Sequence, residues 1–226
     1  MIQIILLNAF PEKKIKSLGN QCLINLSNNK KLIHHYINIF KLKYHKLTIV
    51  CGFEFKKLKK YVSNNIKSKN LKLLYHDINE KNNIGESISH ALKNYISYKT
   101  EKGLLFINTN LVINKTIFKK FKFDKSFIII NSKIKDDIGC LVNKNNMAIN
   151  CYYGLPNKFY DILYIHKNDI LRFQQIQNTK NFNKLFLFEI VNLCIKNDIN
   201  IKAIDIKPIK IPKIENIYHD KKNSTV

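Results

Sequence analysis

The sequence predicts a three-layer α/β domain with a central mixed, mostly parallel sheet. In its first half, short continuous apolar runs alternate with stretches of helical apolar spacing. Such runs lack polar alternation, as strands buried on both faces do. The second half changes to strand-like runs separated by short polar turns, which adds antiparallel pieces. The 226 residues are 45% hydrophobic, enough for a sizeable core in one domain.

Ile2 to Leu7 reads as the first strand, followed by a Lys-rich loop from Asn8 to about Gln21. Cys22 to Leu26 is a brief apolar patch, and Ser27-Asn28-Asn29 marks a turn. Leu32, Ile33, Tyr36, Ile37, Ile39 and Phe40 predict a helix over 30–42. A strand over 47–51, a helix over 53–66 and a strand over 71–75 follow. Asn82 to Ser87 opens a helix whose apolar stripe is Ile88, Ala91, Leu92, Tyr95 and Ile96. Gly103 to Ile107 is the fourth strand, and 113–121 a short helix. Strand-like runs cover 127–131, 138–143, 147–152 and 163–165. Helices are expected over 168–175 and 183–196, a last strand over 200–206 and an extended tail over 207–226.

In such sheets the ligand crevice lies beyond the carboxyl ends of the strands. The loops after strand one, before the Ser87 helix and after strand four are therefore expected to share one cleft.

Lys plus Arg total 39 against 16 Asp plus Glu, a formal charge of +23. The sole arginine is Arg172, and the rest of the positive charge is lysine. Lys, Asn and Ile all have AT-rich codons, so a low-GC genome accounts for this composition. Nucleic-acid binders usually add Arg for its bidentate fork. A Lys-rich surface also sticks weakly to any polyanion. The composition excludes a disordered or collagen-like chain. No apolar run is long enough to span a membrane. The apolar start has no basic residues before it and no cleavage site after it, so it reads as a strand. Cys22, Cys51, Cys140, Cys151 and Cys194 show no C-x-x-C pair and read as buried thiols in a reducing cytoplasm.

The segment Ile4 to Ala9, then Lys16 to Leu23, Asn29 to Ile33, Leu47 to Gly52, Asn82 to Ser87 and Leu104 to Asn114 come in a familiar order. Over about residues 1–115 the chain resembles the sugar-phosphate nucleotidyltransferases, which share a Rossmann-like, GT-A-like fold. The resemblance implies a nucleotide-binding half over 1–115, a mixed acceptor half over 116–206, and the tail. It implies an NTP or nucleotide-sugar as ligand, a sugar phosphate as partner, Mg²⁺ as cofactor and release of pyrophosphate.

The departures from the family pattern are specific. The phosphate-loop glycines fall at Phe10 and Glu12, and the loop arginine at Lys14. The catalytic lysine falls at Gln21. Lys13, Lys14 and Lys16 make a cationic loop that would cradle phosphate by side chains, with Asn8 and Ala9 at the loop entry. Asn83 and Ser87 match the segment that contacts nucleotide; Asn83 equally reads as a helix cap. The metal-binding aspartate falls at Asn110, with Thr109 for the adjoining glycine, and Glu215 stands for the second carboxylate. Mg²⁺ prefers carboxylates, which supply charge that an amide lacks. Two further readings stand beside nucleotidyl transfer: an inactive relative that binds or scaffolds, and a Lys-rich polyanion binder. His34 and His35 are adjacent on a helix and do not share a face. His76-Asp77 ends a strand and is a minor acid/base candidate.

Overall fold

Strand β1 (Ile2–Asn8) is buried throughout, and its side chains alternate between two cores. Ile2, Ile4 and Leu6 face one side and Ile5 and Leu7 the other. A strand sandwiched between helical layers needs this all-apolar composition. The computed structural model describes residues 1–9, 13–26, 30–41, 45–77, 83–94, 102–207 and 209–214, without the side chains of 13–15 and 94.

β1 pairs in parallel with β2 (Lys46–Cys51) on one side and β4 (Gly103–Asn108) on the other, and β2 pairs with β3 (Leu71–Tyr75). Helices α1 (Leu32–Phe40) and α2 (Phe55–Asn65) connect β1, β2 and β3, and α3 (Ile84–Asn94) precedes β4. Leu32, Ile33, Tyr36, Ile39 and Phe40 bury one stripe of α1. Burial of each such large side chain contributes about 1.5–3 kcal/mol. Lys41, in the left-handed region at φ 44°, ends α1. A short α4 (Lys115–Lys119) follows β4, capped by Asn114, whose side chain accepts from Ile117 N at 2.8 Å.

The main path of the sheet runs β3-β2-β1-β4-β8-β5-β9, with β5 spanning Phe127–Asn131, β8 Lys158–His166 and β9 Lys202–Asp205. Of these seven, β8 alone is reversed: it is antiparallel to β4 and β5, while β5 and β9 are parallel. β6 (Ile138–Val142) and β7 (Ala148–Tyr153) form a hairpin that joins through Gly139 and Lys158. Helices α5 (Ile170–Gln177) and α6 (Leu187–Lys196) complete the layer that contains α3.

The expected three-layer fold with a mostly parallel sheet is the one observed. Some element ends shift. The expected strand 163–165 is the nine-residue β8, and the helix expected from residue 183 starts at Leu187. Residues 182–184 instead make a 3₁₀ turn that receives the start of α3: Gly85 N donates to Leu185 O at 3.0 Å. The five cysteines are buried free thiols. No helix among the described residues is long and apolar enough to cross a membrane.

Candidate functional site

The chain leaves β1 toward β2 and β3 on one side, then crosses to β4 on the other. The order 3-2-1-4 makes the carboxyl ends of β1 and β4 the topological switch point, where adjacent loops part and leave a crevice. Asn8 ends β1, and Asn108-Thr109-Asn110 end β4 and turn away.

A buried cluster of neutral polar side chains fills the floor between these ends. Asn8 Nδ2 donates to Asn20 Oδ1 at 3.1 Å. Asn20 Oδ1 also accepts from Cys22 N at 3.1 Å, and Asn20 Nδ2 donates to Phe53 O at 2.8 Å and to Cys51 Sγ at 3.1 Å. The Asn20 N–H donates to Glu54 Oε2 at 2.9 Å, which ties the loop after β1 to the start of α2. Burial pushes the Cys51 thiol up to about 11, so it is an uncharged acceptor here.

Thr109 Oγ1 lies 3.0 Å from Leu7 O and 3.0 Å from Asn8 Oδ1, and contacts Gln21 Oε1. One hydroxyl proton faces three oxygens. The cluster is therefore a donor short, and turning the Gln21 amide by 180° supplies that donor. As placed, Gln21 Nε2 is buried without a partner among the described residues.

Beside this floor is a cleft of about 110 Å³ whose lining includes Asn110, Asp136, Asp137, Lys158, Asp161 and Lys213. Asp161 stands on β8 opposite the end of β4, and Asn108 Nδ2 donates to its Oδ2 at 3.3 Å. Asp136 is ion-paired with Lys158. Burial raises the Asp136 carboxyl, but the Lys158 hydrogen bond, the Asp137 N–H and the charges of Lys158 and Lys213 together hold it below its ordinary value. The C-terminal segment closes one side. Val112 N donates to Pro212 O at 3.0 Å and Ile214 N to Asn110 O at 2.8 Å, with Ile211 and Ile214 buried. Along the same sheet edge, a wider concavity of about 770 Å³ lies between Gly52, Phe55 and Tyr75.

The expected site residues fall as follows. Asn8, Ala9, Gln21 and Asn110 are buried at the carboxyl ends of β1 and β4. Lys16 is exposed, its Nζ 6.0 Å from the Phe53 ring centre. Lys13 and Lys14 lie in a 3₁₀ turn over 13–18, their side chains outside the described set. Asn83 donates to Lys184 O, and Ser87 is buried. Helix α3 packs through Ile88, Ala91 and Leu92 with Leu7, Ala9, Val50 and Leu74. Running back against the strands, it starts at their carboxyl edge. Phe10, Glu12, Asn82 and Glu215 lie outside the described residues.

Asn20, Asp136, Lys158 and Asp161 were not among the expected residues. Asp161 carried a signal: a carboxylate inside the apolar run FYDILYI. Asn20 carried none, because its partners are distant in sequence. His34 bonds Tyr61 Oη at 2.9 Å and His35 bonds Ile113 O at 2.7 Å, so both have structural partners. His76 stacks on His90 with ring centres 4.9 Å apart; burial first, then His90, lowers its pKa, against an opposing effect of Asp77.

No protein-family model and no curated protein matches the sequence. Solved structures do match in fold. The CTP:phosphocholine cytidylyltransferase of Streptococcus pneumoniae aligns over 100% of this chain and 99% of its own, with TM-score 0.75 and 13% identity. The inositol-1-phosphate CTP transferase of T. maritima aligns over 94% and 88%, with TM-score 0.70 and 12% identity. A putative glucose-1-phosphate thymidylyltransferase of Bacillus anthracis aligns over 99% and 96%, with TM-score 0.70 and 10% identity. The chain therefore has the Rossmann-like α/β fold of the nucleotidyltransferases.

Proposed function

We propose that the crevice at the β1/β4 switch point binds a nucleoside triphosphate, and that the adjoining cleft takes a small phosphorylated alcohol. The observation that carries this reading is the polar floor at the carboxyl ends of β1 and β4 with a cleft beside it that Asn110 also lines, in a sheet shared with nucleotidyltransferases. The acceptor phosphate would attack the α-phosphorus, with pyrophosphate leaving. Two anions meet in that step, so the chain's work is to position them and offset their charge. Lys14, Lys13 and Lys16 would serve the triphosphate from the loop after β1. Lys158 and Lys213, both on the cleft, would serve the acceptor phosphate. Asn83 and Ser87, at the start of α3, would hold the base side.

Mg²⁺ is commonly held by one or two carboxylates together with substrate phosphates. Two described donors fit that mode: the Asp161 carboxylate and the Asn110 amide line one cleft. Among the described residues no group of three or more His, Cys, Asp or Glu could hold a metal ion by itself. The ion, when bound, would draw negative charge from the phosphate oxygens.

A second reading, a binding module without turnover, is favoured by Gln21 and Asn110. Both are neutral where the resemblance implies charge. Pyrophosphate release with CTP, UTP and dTTP, against phosphorylated sugars, inositol 1-phosphate and phosphocholine, separates the two. Release that requires one nucleotide and one acceptor, rising at least about tenfold in Gln21→Lys, supports transfer. Thermal stabilisation by nucleotide without release supports the binding module. Neither effect with any pair overturns both.

A further inference from the structure

The hairpin β6–β7 sets Cys140 opposite Cys151 in register. Both side chains are fully buried in the core, against α6. The main-chain bonds reveal the kind of pair. Cys140 N donates to Pro156 O at 2.9 Å and Asn157 O at 3.0 Å, and Cys140 O accepts from Asn157 Nδ2 at 2.9 Å. Cys151 N donates to Asn192 Oδ1 at 2.8 Å, and Cys151 O accepts from Asn192 Nδ2 at 2.7 Å. Neither N–H points at the opposite residue, so this is a non-hydrogen-bonded pair of an antiparallel ladder. In such pairs the Cα atoms stand about 4.5 Å apart and the side chains are at their closest. That separation is at the short end of the range a disulfide spans, about 4.4–6.8 Å. The Cys140 thiol donates to Leu141 O at 3.4 Å, and it is close enough to Cys151 to raise that thiol's pKa.

We propose that Cys140 and Cys151 are a modification site: a cross-strand thiol pair that closes reversibly to a disulfide under hydrogen peroxide. One thiolate attacks a peroxide oxygen; the O–O bond breaks, and a sulfenic acid and hydroxide form. The second sulfur then attacks the sulfenic sulfur, forming S–S and releasing hydroxide. With the two thiol protons, the products are one disulfide and two waters, and two electrons pass from sulfur to peroxide. A bridge at the short end of the range is strained and easily reduced, the behaviour of labile rather than structural disulfides. The partner thiol and burial both hold the Cys151 thiol protonated, so the first step waits on opening of the hairpin. The hairpin is joined to β8 through Gly139 with Lys158 and to the β9 strand through Met147 with Lys202, with Ala148 N donating to Ile201 O at 2.9 Å, so opening must release both ties. Asp136, Asp137 and Ile138, which lead into β6, line the cleft, so the bridge would tighten one of its walls. The proposal holds whatever the cleft binds.

The test uses the full, reduced chain treated with hydrogen peroxide, alkylated and digested with trypsin without reductant. Cleavage at Lys144 separates the two cysteines into peptides 136–144 and 145–158. The expected product is these two peptides joined, about 2 Da lighter than the separate pair and released by dithiothreitol. Cys140→Ser and Cys151→Ser should each abolish it, and the wild-type digest stands if either variant fails to fold. Recovery of both peptides unlinked, whether unchanged or carrying only added oxygen, overturns the proposal. So does a bridge confined to Cys22 and Cys51, the other buried pair close enough to interact.

Discussion

Asn20 makes four side-chain hydrogen bonds at the strand ends, two as acceptor and two as donor. An apolar residue there strands Asn8 Nδ2 and Cys22 N, buried groups that each cost about 1–3 kcal/mol when unmet. Asn20→Ala should lower unfolding free energy in urea by about 2–3 kcal/mol, beyond an ordinary surface change. Thr109→Val removes the hydroxyl at nearly constant volume and should cost about 1–3 kcal/mol, while Thr109→Ser should recover most of it. Equal stability of the valine and serine variants would show that the hydroxyl is idle. The sequence order put Asn110 just past the end of the fourth strand, where the structure has it, and Gln21 at the end of the loop after the first, where it is buried. The cluster that holds them was not legible. Thr109 and Asn8 are 101 residues apart, and local pattern says nothing about such a meeting.

Elements impose a second set of constraints. A Cβ on Gly85 would lie 1.9 Å from the Phe182 carbonyl oxygen, so α3 can dock on the 182–185 turn only with glycine at its start. Gly85→Ala should destabilise the fold by at least about 2 kcal/mol, and hydrogen exchange should localise the loss to the start of α3 and residues 182–185. The Asp136–Lys158 pair joins the approach to β6 with the start of β8. Its carboxyl is held below the ordinary value in the folded state, so its stabilisation is present above about pH 4 and is lost as pH falls through the folded value. Because the pair is partly exposed, the wild-type advantage over Asp136→Asn should be about 0.5–1 kcal/mol at pH 6 and absent near pH 2. A constant difference across that range would place the effect outside the ion pair. The parallel strands of the first half were legible as unbroken apolar runs because both their faces are covered. β8 was read too short because Lys158 and Asp161 interrupt its pattern. Both line the cleft, where polar groups serve the cavity rather than the core.

Over the whole molecule, the crossover from β3 to β4 decides where a ligand can enter. It brings Asn8, Ala9, Thr109 and Asn110 together, buried at the ends of β1 and β4, with the α3 start on the same edge and the 211–214 segment closing the side. The net charge of +23 favours any anionic guest over the whole surface, so affinity alone does not locate the site. A crystal structure of the chain with CTP or UTP and Mg²⁺ does. Nucleotide phosphates should lie over the ends of β1 and β4, between Ala9 and Asn110, with Asp161 facing the metal side. A nucleotide seated only on the lysine-rich outer faces, with the β1/β4 crevice closed, would contradict it.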